Sequence, residues 1–263
     1  MNLARRIAKI LYWKLCFPDS VSLVPLRLRI VSGPFKGMRY ISRSCGSYHS
    51  CKLLGTYEKE LHPAIASIAT YHYDTLVDIG AAEGYYAVGL ASTLAVERIV
   101  AFEEEERGRT LLAELAKRNS LKTPVDLKGR CEIDDLTQLL ASSGHTLIIC
   151  DVEGYEGVLL DPAVIDKLRE TSIIVELHES ACAGIGRTIR NRFALSHSIS
   201  EIVAEPRTWA DFPQKSFLSR LLPRALAVQA MNEGRLEIMD WLWMVPKTSP
   251  QRAARITRLE HVG

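Results

Sequence analysis

The stretch LVDIGAAEGYYAVGLA, residues 76–91, decides the fold of this chain. It begins with apolar residues typical of a buried strand, reaches an acid at Asp78, turns through small residues and continues with helical spacing. Such a strand–turn–helix unit belongs to a parallel α/β sheet, where ligands lie at the carboxyl ends of the strands. The turn lacks the third glycine of the GxGxxG fingerprint, and the acid at Asp78 would repel a pyrophosphate. The turn therefore does not favour a dinucleotide.

A turn of small residues lets a ligand lie directly on the backbone, and the Asp78 carboxylate suits a cationic group such as a sulfonium. We therefore predict that the turn binds a nucleoside ligand that carries a cation. The predicted contact residues are Asp78, Gly80, Ala81, Ala82, Gly84 and Tyr85. The alternative interpretation is a tight strand-to-helix turn in some other kind of α/β protein.

Strands and helices alternate regularly from residue 75 onward, which predicts a parallel sheet with helices on both faces. Strand-like runs cover 75–79, 98–102, 125–127, 146–150 and 172–177. Helical spacing covers 84–94, 105–119, 133–141, 155–169 and 183–193. Two further strand candidates, 196–204 and 237–246, flank an irregular segment at 205–233. Upstream, the pattern predicts a β-hairpin over 26–42 and a helix over 57–71.

An acid at the end of the second strand provides a candidate ribose ligand. Glu103 lies about 20 residues past the glycine turn, the distance at which such an acid binds ribose hydroxyls in open α/β sheets. The three acids that follow it are interpreted as the first turn of a helix, where carboxylates meet the helix dipole favourably. The turn after the third strand, around Cys131 and Glu132, is expected to flank the base of the nucleoside.

The ends of the fourth and fifth strands carry the candidate catalytic residues. Asp151 and Glu153 follow the fourth strand and, two residues apart, point to the same side of an extended chain. His178 ends the fifth strand, and its near-neutral pKa suits it to accept a proton. The alternative is that the acids are solvated and the histidine is structural. The three side chains also offer oxygen and nitrogen ligands, but their spacing is not diagnostic and no metal is predicted.

Four motifs together resemble the FkbM-type family, a branch of the class I S-adenosylmethionine-dependent methyltransferases. They are VDIGAAEGYYAVGLA (77–91), AFE (101–103), IICDVEGYEGVLL (148–160) and IIVELHE (173–179). The chain departs from the family pattern at Glu83, where relatives commonly have a small or polar residue, and at Glu104, where many have proline. It also lacks the Asn/Asp-Pro-Pro-aromatic motif of nucleic-acid amino-methyltransferases, so no nucleic-acid partner is expected.

The resemblance implies a Rossmann-like α/β sheet of seven strands whose last two form a C-terminal antiparallel hairpin. It implies S-adenosylmethionine as the cofactor, with Asp151 near the methyl group as well as in catalysis. It also implies O-methylation of a hydroxyl on a small molecule or glycan. A methyltransferase-like binding module without catalysis, a nucleotide-dependent oxidoreductase and a membrane-associated scaffold remain open alternatives.

Length and composition are those of one globular domain with additions, because 263 residues with 47% hydrophobic side chains supply a large core. We expect a basic helix-and-hairpin extension at 1–56, the methyltransferase domain at 57–246 and a basic tail at 247–263. Residues 1–17 are basic and apolar, which predicts a helix packed on the domain or, alternatively, peripheral contact with an anionic membrane. The absence of a signal peptide, of an apolar span and of paired cysteines predicts a cytoplasmic protein.

Overall fold

A seven-stranded sheet forms the centre of the computed structural model, which describes residues 28–213, 223–234 and 239–248. The strands are β1 (Thr75–Ile79), β2 (Arg98–Phe102), β3 (Val125–Lys128), β4 (Thr146–Cys150), β5 (Ser172–Leu177), β6 (His197–Ile202) and β7 (Asp240–Pro246). Their order is β3-β2-β1-β4-β5-β7-β6. The first five strands are parallel, and β7 is antiparallel to both β5 and β6. Seven strands, of which β6 and β7 form the C-terminal antiparallel hairpin, are the predicted arrangement, so the predicted α/β fold is confirmed.

Helices cover both faces of this sheet. They are α1 (His49–Leu54), α2 (His62–Ile68), α3 (Tyr85–Ala91), α4 (Glu106–Asn119), α5 (Ile133–Ala141), α6 (Glu156–Leu159), α7 (Ile185–Phe193) and α8 (Arg224–Ala230). Short 3₁₀ turns occur at Lys59–Leu61, Asp166–Glu170 and Trp209–Asp211. Within the described ranges, no helix is both long and apolar enough to cross a membrane.

The apolar core lies on both faces because successive residues of a strand point to opposite sides. Leu76 packs in one cluster and Val77 in the other, and every position of β1, β4 and β5 is buried. Residues of the N-terminal segment, such as Ile30 and Tyr40, belong to the same cluster as Leu76. The described part of the predicted extension therefore packs on the sheet and helps to build the site.

The helix predicted over 155–169 is wrong as a single element. The structure has the one-turn helix α6, a loop and a 3₁₀ turn at Asp166–Glu170. Pro162 explains the break, because proline clashes with the preceding turn and disfavours helical backbone in the residue before it. The helix predicted over 57–71 is likewise split, into a 3₁₀ turn and α2, whose first turn contains Pro63.

The predicted hairpin at 26–42 is reduced to one antiparallel bridge between Arg29 and Arg39. The Ile30 N–H donates to the Met38 carbonyl, and the Tyr40 N–H to the Leu28 carbonyl, so the pairing direction is as predicted without a strand ladder. Residues 26–27 lie outside the described part of the chain. The same is true of residues 1–17, whose predicted helix or membrane contact stays a prediction, and of the tail beyond residue 248.

Candidate active site

A cavity of about 940 Å³ opens at the carboxyl ends of the parallel strands. This is the edge at which open α/β sheets bind their ligands. The predicted site residues that line the cavity are Gly80, Ala82, Glu103, Cys131, Asp151, Glu153 and His178. Predicted residues from the ends of five strands, which span nearly 100 positions of the sequence, therefore surround one space.

The glycine turn holds the end of β1 against the end of β4. Gly80 has a left-handed backbone, with φ at 80°, and a β-carbon there would lie 1.6 Å from the Asp151 carbonyl oxygen. The N–H groups of Gly80 and Ala81 both donate to the Phe102 carbonyl, which ties the turn to the end of β2. Only glycine fits this close approach, and it leaves the backbone of the turn open to the cavity.

Asp78 lies behind the turn and does not line the cavity. Its carboxylate is 2% exposed and accepts a hydrogen bond from the Ala87 N–H at 2.8 Å, which fixes the start of α3. Burial raises the pKa of Asp78 to about 7, and the charges of Asp151 and Glu103 add to the effect. The structure thus gives Asp78 a role in shaping the turn. Direct contact with a bound cation stays a prediction.

Three other predicted contact residues also lie outside the cavity lining. Ala81 is buried, and Gly84 lies against Leu112, whose Cγ would be 2.6 Å from a β-carbon at that position. Tyr85 packs edge-on against Phe35 and Tyr57, with ring centroids 5.1 and 5.2 Å away. Within the predicted set, these residues support the turn from behind, while Gly80 and Ala82 face the cavity.

Glu103 is held in place at the end of β2. Its carboxylate accepts hydrogen bonds from the N–H groups of Ala82, at 2.6 Å, and Glu105, at 2.8 Å. A carboxylate has about four lone-pair sites, so two remain for ligand hydroxyls. Gly108 makes room for this side chain, because a β-carbon there would lie 2.7 Å from the Glu103 Cγ. The role of Gly108 was not predicted from the sequence.

The two predicted residues of the turn after β3 lie in different surroundings. Cys131 is buried and lines the cavity, whereas Glu132 caps α5 and accepts a hydrogen bond from the Tyr155 hydroxyl at 3.0 Å. Arg130 pairs with Glu132 at 2.9 Å and stacks on the Tyr155 ring, 4.7 Å from its centroid. Arg130 and Tyr155 line the cavity and were not predicted. Their planar groups offer a stacking surface beside Cys131.

The predicted catalytic residues meet around His178, which is 2% exposed. Its Nδ1 bonds to the carboxylate of Glu156, which is fully buried. Its Nε2 faces Asp151 at 3.5 Å and Glu153 at 3.4 Å. Glu176, on β5, adds a carboxyl oxygen 3.6 Å from the same nitrogen. Asp151, Glu153 and His178 were predicted from the sequence, whereas Glu156 and Glu176 were not.

Burial and the neighbouring charges have opposite effects on the pKa of His178. Burial lowers the pKa of His178, but the Glu156 bond and the neighbouring carboxylates outweigh it, so the pKa is raised. Burial raises the pKa of Asp151 and of Glu176. The contact with Asp151 raises the pKa of Glu176 further. The carboxylates around His178 therefore favour the protonated form of its imidazole.

A second unpredicted group connects the N-terminal segment to the glycine turn. Glu83 is fully buried and accepts hydrogen bonds from Lys52 Nζ at 2.5 Å, Tyr40 Oη at 2.6 Å, Ser44 Oγ at 2.7 Å and the Cys45 N–H at 3.0 Å. Burial alone raises the pKa of Glu83, but Lys52 and these hydrogen bonds lower it overall. Lys52 and Cys45 line the cavity, so this group builds one of its walls.

No protein-family model matches the chain, and no curated protein matches it. Among solved structures, an O-methyltransferase from Bacillus cereus in complex with SAH is 14% identical, with a TM-score of 0.46 over 73% of this chain and 82% of that one. An O-methyltransferase of tomaymycin synthesis from Streptomyces achromogenes, in complex with SAM, is 11% identical, with a TM-score of 0.45 over 73% and 81%. Precorrin 8W decarboxylase from Methanobacterium thermoautotrophicum is 19% identical, with a TM-score of 0.43 over 71% and 89%. These three are among the solved structures that the chain is similar to.

Proposed function

We propose that this chain is an S-adenosylmethionine-dependent methyltransferase that methylates a hydroxyl group of a small molecule or glycan. One observation carries the proposal. The Glu103 carboxylate is fixed by the Ala82 and Glu105 N–H groups at the cavity edge and keeps lone pairs for a ribose. An acid in this position suits the ribose of a nucleoside. The neighbouring turn at Gly80 lacks the glycine fingerprint of a diphosphate-binding loop.

The donor is assigned to the cavity part by part. Its methionyl group lies along Gly80 and Ala82, its ribose at Glu103, and its adenine beside Cys131 and the Arg130–Tyr155 pair. The order of the four motifs supports a place in the FkbM-type branch of the class I enzymes.

The reaction is an in-line displacement. The acceptor oxygen attacks the methyl carbon, the bond from that carbon to sulfur breaks, and the sulfur leaves as a neutral thioether that needs no acid. The hydroxyl proton passes to the group formed by Asp151, Glu153 and His178, where the candidates for the proton acceptor are Asp151 and His178. Most of the acceleration comes from holding two reactants in line, which is worth about 7–11 kcal/mol in well-oriented systems.

Calorimetric titration with S-adenosylmethionine tests the donor site. We expect the wild type to bind and Glu103→Gln to bind at least about tenfold more weakly, a loss of about 1.4 kcal/mol, because charge-assisted hydrogen bonds to the ribose are lost. Glu114→Gln is the matched control, since Glu114 is an exposed residue of α4 paired with Arg118. Equal donor affinity in all three proteins would overturn the ribose assignment.

Transfer of a labelled methyl group to a library of hydroxylated acceptors tests catalysis. Turnover that is lost in His178→Gln, with donor affinity retained, supports the proposal. Donor binding without turnover on any acceptor would instead indicate a binding module. Quenching of tryptophan fluorescence by a nicotinamide cofactor, without donor binding, would indicate an oxidoreductase.

A further inference from the structure

The group around His178 has more negative than positive charge. Within the described residues, the ion pairs of Asp151, Glu153 and Glu156 are all with this one imidazole. Glu176 adds a fourth carboxyl group, which is 2% exposed and contacts Asp151. A carboxylate removed from solvent is stable only when it is paired, protonated or bound to a metal, which applies to Glu156 and Glu176 and in part to Asp151, but not to the exposed Glu153. A single imidazolium neutralises only part of this charge.

The imidazole is oriented as a metal ligand is. Histidine ligands almost always bond through their other ring nitrogen to a carboxylate or carbonyl, which fixes the tautomer and the ring. Glu156 does this at Nδ1 of His178 and so directs Nε2 toward the cavity, where no hydrogen bond forms with the nearest carboxylate oxygens.

The distances fit a shared ion better than direct contact. Nε2 lies 3.5 Å from an Asp151 oxygen and 3.4 Å from a Glu153 oxygen, beyond the usual hydrogen-bond length of about 2.7–3.2 Å. Two ligands that each lie about 2.0–2.3 Å from an ion, at angles near 90–110°, are separated by about 2.8–3.8 Å. One ligand atom from each of Asp151, Glu153 and His178 lies within 4.8 Å of the others.

We propose that Asp151, Glu153 and His178 form a binding site for a divalent first-row transition metal, with its remaining coordination positions open to the cavity. Mixed imidazole and carboxylate ligands suit such ions better than Ca²⁺ or Mg²⁺, which prefer oxygen alone. Glu153 is the flexible ligand, because its side chain is 85% exposed whereas that of His178 is 2% exposed.

The binding of the ion is independent of the proposed methyl transfer, but a role for it in the reaction rests on that proposal. A metal ion lowers the pKa of a hydroxyl group that coordinates it. The acceptor hydroxyl would then bind at an open position, and its proton would pass to water in the open cavity. Asp151 and His178 would both act as ligands, so neither side chain would be the proton acceptor.

Manganese provides a direct probe, because free Mn²⁺ gives a paramagnetic resonance signal that disappears on binding. The full chain is stripped with a chelator and titrated with MnCl₂ in the absence of donor and acceptor. We expect one ion per chain, with binding weakened at least about tenfold in Asp151→Asn and His178→Gln and about 10–100-fold in Glu156→Gln. Glu114→Gln is expected to bind as the wild type does.

The exposed residue Glu153 keeps the test decisive if the buried variants fold poorly. Glu153→Gln removes a ligand with little effect on packing and is expected to weaken Mn²⁺ binding without changing the unfolding midpoint. Wild-type protein that leaves the Mn²⁺ signal unchanged, or a Glu153→Gln variant that binds the ion as tightly as the wild type, would overturn the proposal. Calorimetry with S-adenosylmethionine on the same metal-free samples reports separately on the donor site, so failure of one proposal is not failure of the other.

Discussion

Removal of the Glu83 carboxylate is expected to be among the most damaging changes outside the apolar core. Glu83→Ala leaves the Lys52 ammonium, which is 3% exposed, without its counter-charge and deprives Tyr40 and Ser44 of their acceptor. Loss of one partner of a buried ion pair costs about 3–5 kcal/mol. Because domains of this size are stable by about 5–15 kcal/mol, the loss is a large fraction of the total.

A second substitution, at Lys52, separates the effect of the unpaired ammonium from the effect of the lost side-chain packing. Glu83→Gln keeps an acceptor oxygen but leaves the ammonium unpaired, whereas Lys52→Met with Glu83→Gln leaves no charge at all. We expect urea denaturation to show the double variant at least about 1 kcal/mol more stable than Glu83→Gln alone, because an unpaired buried charge costs more than a neutral pair.

The pH dependence gives the same prediction a second test. The pKa of Glu83 is lowered in the folded protein, so its contribution to stability is complete above the pKa of the unfolded side chain and is lost as the pH falls through the folded value. The difference between wild type and Glu83→Gln should therefore shrink in acid. A Glu83→Ala variant that loses less than about 1 kcal/mol at pH 7, or single and double variants of equal stability, would refute this account of the pair.

Two further predictions concern the glycine turn. Gly80→Ala should weaken donor binding at least about tenfold and destabilise the fold, because φ is 80° and the new β-carbon would lie 1.6 Å from the Asp151 carbonyl oxygen. Calorimetry measures the donor affinity, and urea denaturation measures the stability. A variant with the donor affinity of the wild type would contradict the prediction. Asp78 has a folded pKa of about 7, above that of the unfolded side chain, so the free energy of unfolding should fall by about 2–3 kcal/mol from pH 5 to pH 8 relative to Asp78→Asn. A constant difference between these two proteins across that range would show that Asp78 is not protonated in the fold.

Local sequence patterns predicted the parts of the fold that are determined locally. Strands buried on both faces have continuous apolar runs, and β1, β4 and β5 have the predicted bounds. The helix α5 also has its predicted bounds, because its capping box and apolar spacing agree. The prediction of one helix over 155–169 was wrong because the apolar residues keep helical spacing past Pro162, whereas the helical backbone ends before this proline.

Contacts between distant residues could not be predicted in the same way. Glu83 and Lys52 are 31 positions apart, and each alone resembles a solvated charge, so nothing in the local pattern indicates a buried pair. Gly108 faces Glu103 across the start of α4, which only the folded structure reveals. Asp78 shows the converse, because its position at the strand end was predicted while its burial and its bond to Ala87 were not. Strand ends locate a site, but tertiary packing determines which side chains face it.

The order of the strands separates the proposed donor site from the proposed metal site. Glu103 follows β2 and His178 follows β5, and these strands lie on either side of β1 and β4 in the sheet. Neighbouring strands are about 4.8 Å apart, so three intervals place the two groups about 14 Å from each other. In the two proposals, the donor binds across the ends of β2 and β1 and the metal at the ends of β4 and β5, which leaves the space between them for the acceptor. Glu103→Gln should therefore weaken donor binding without affecting Mn²⁺, and His178→Gln should do the reverse. Loss of both ligands in either variant would mean that one site had been described as two.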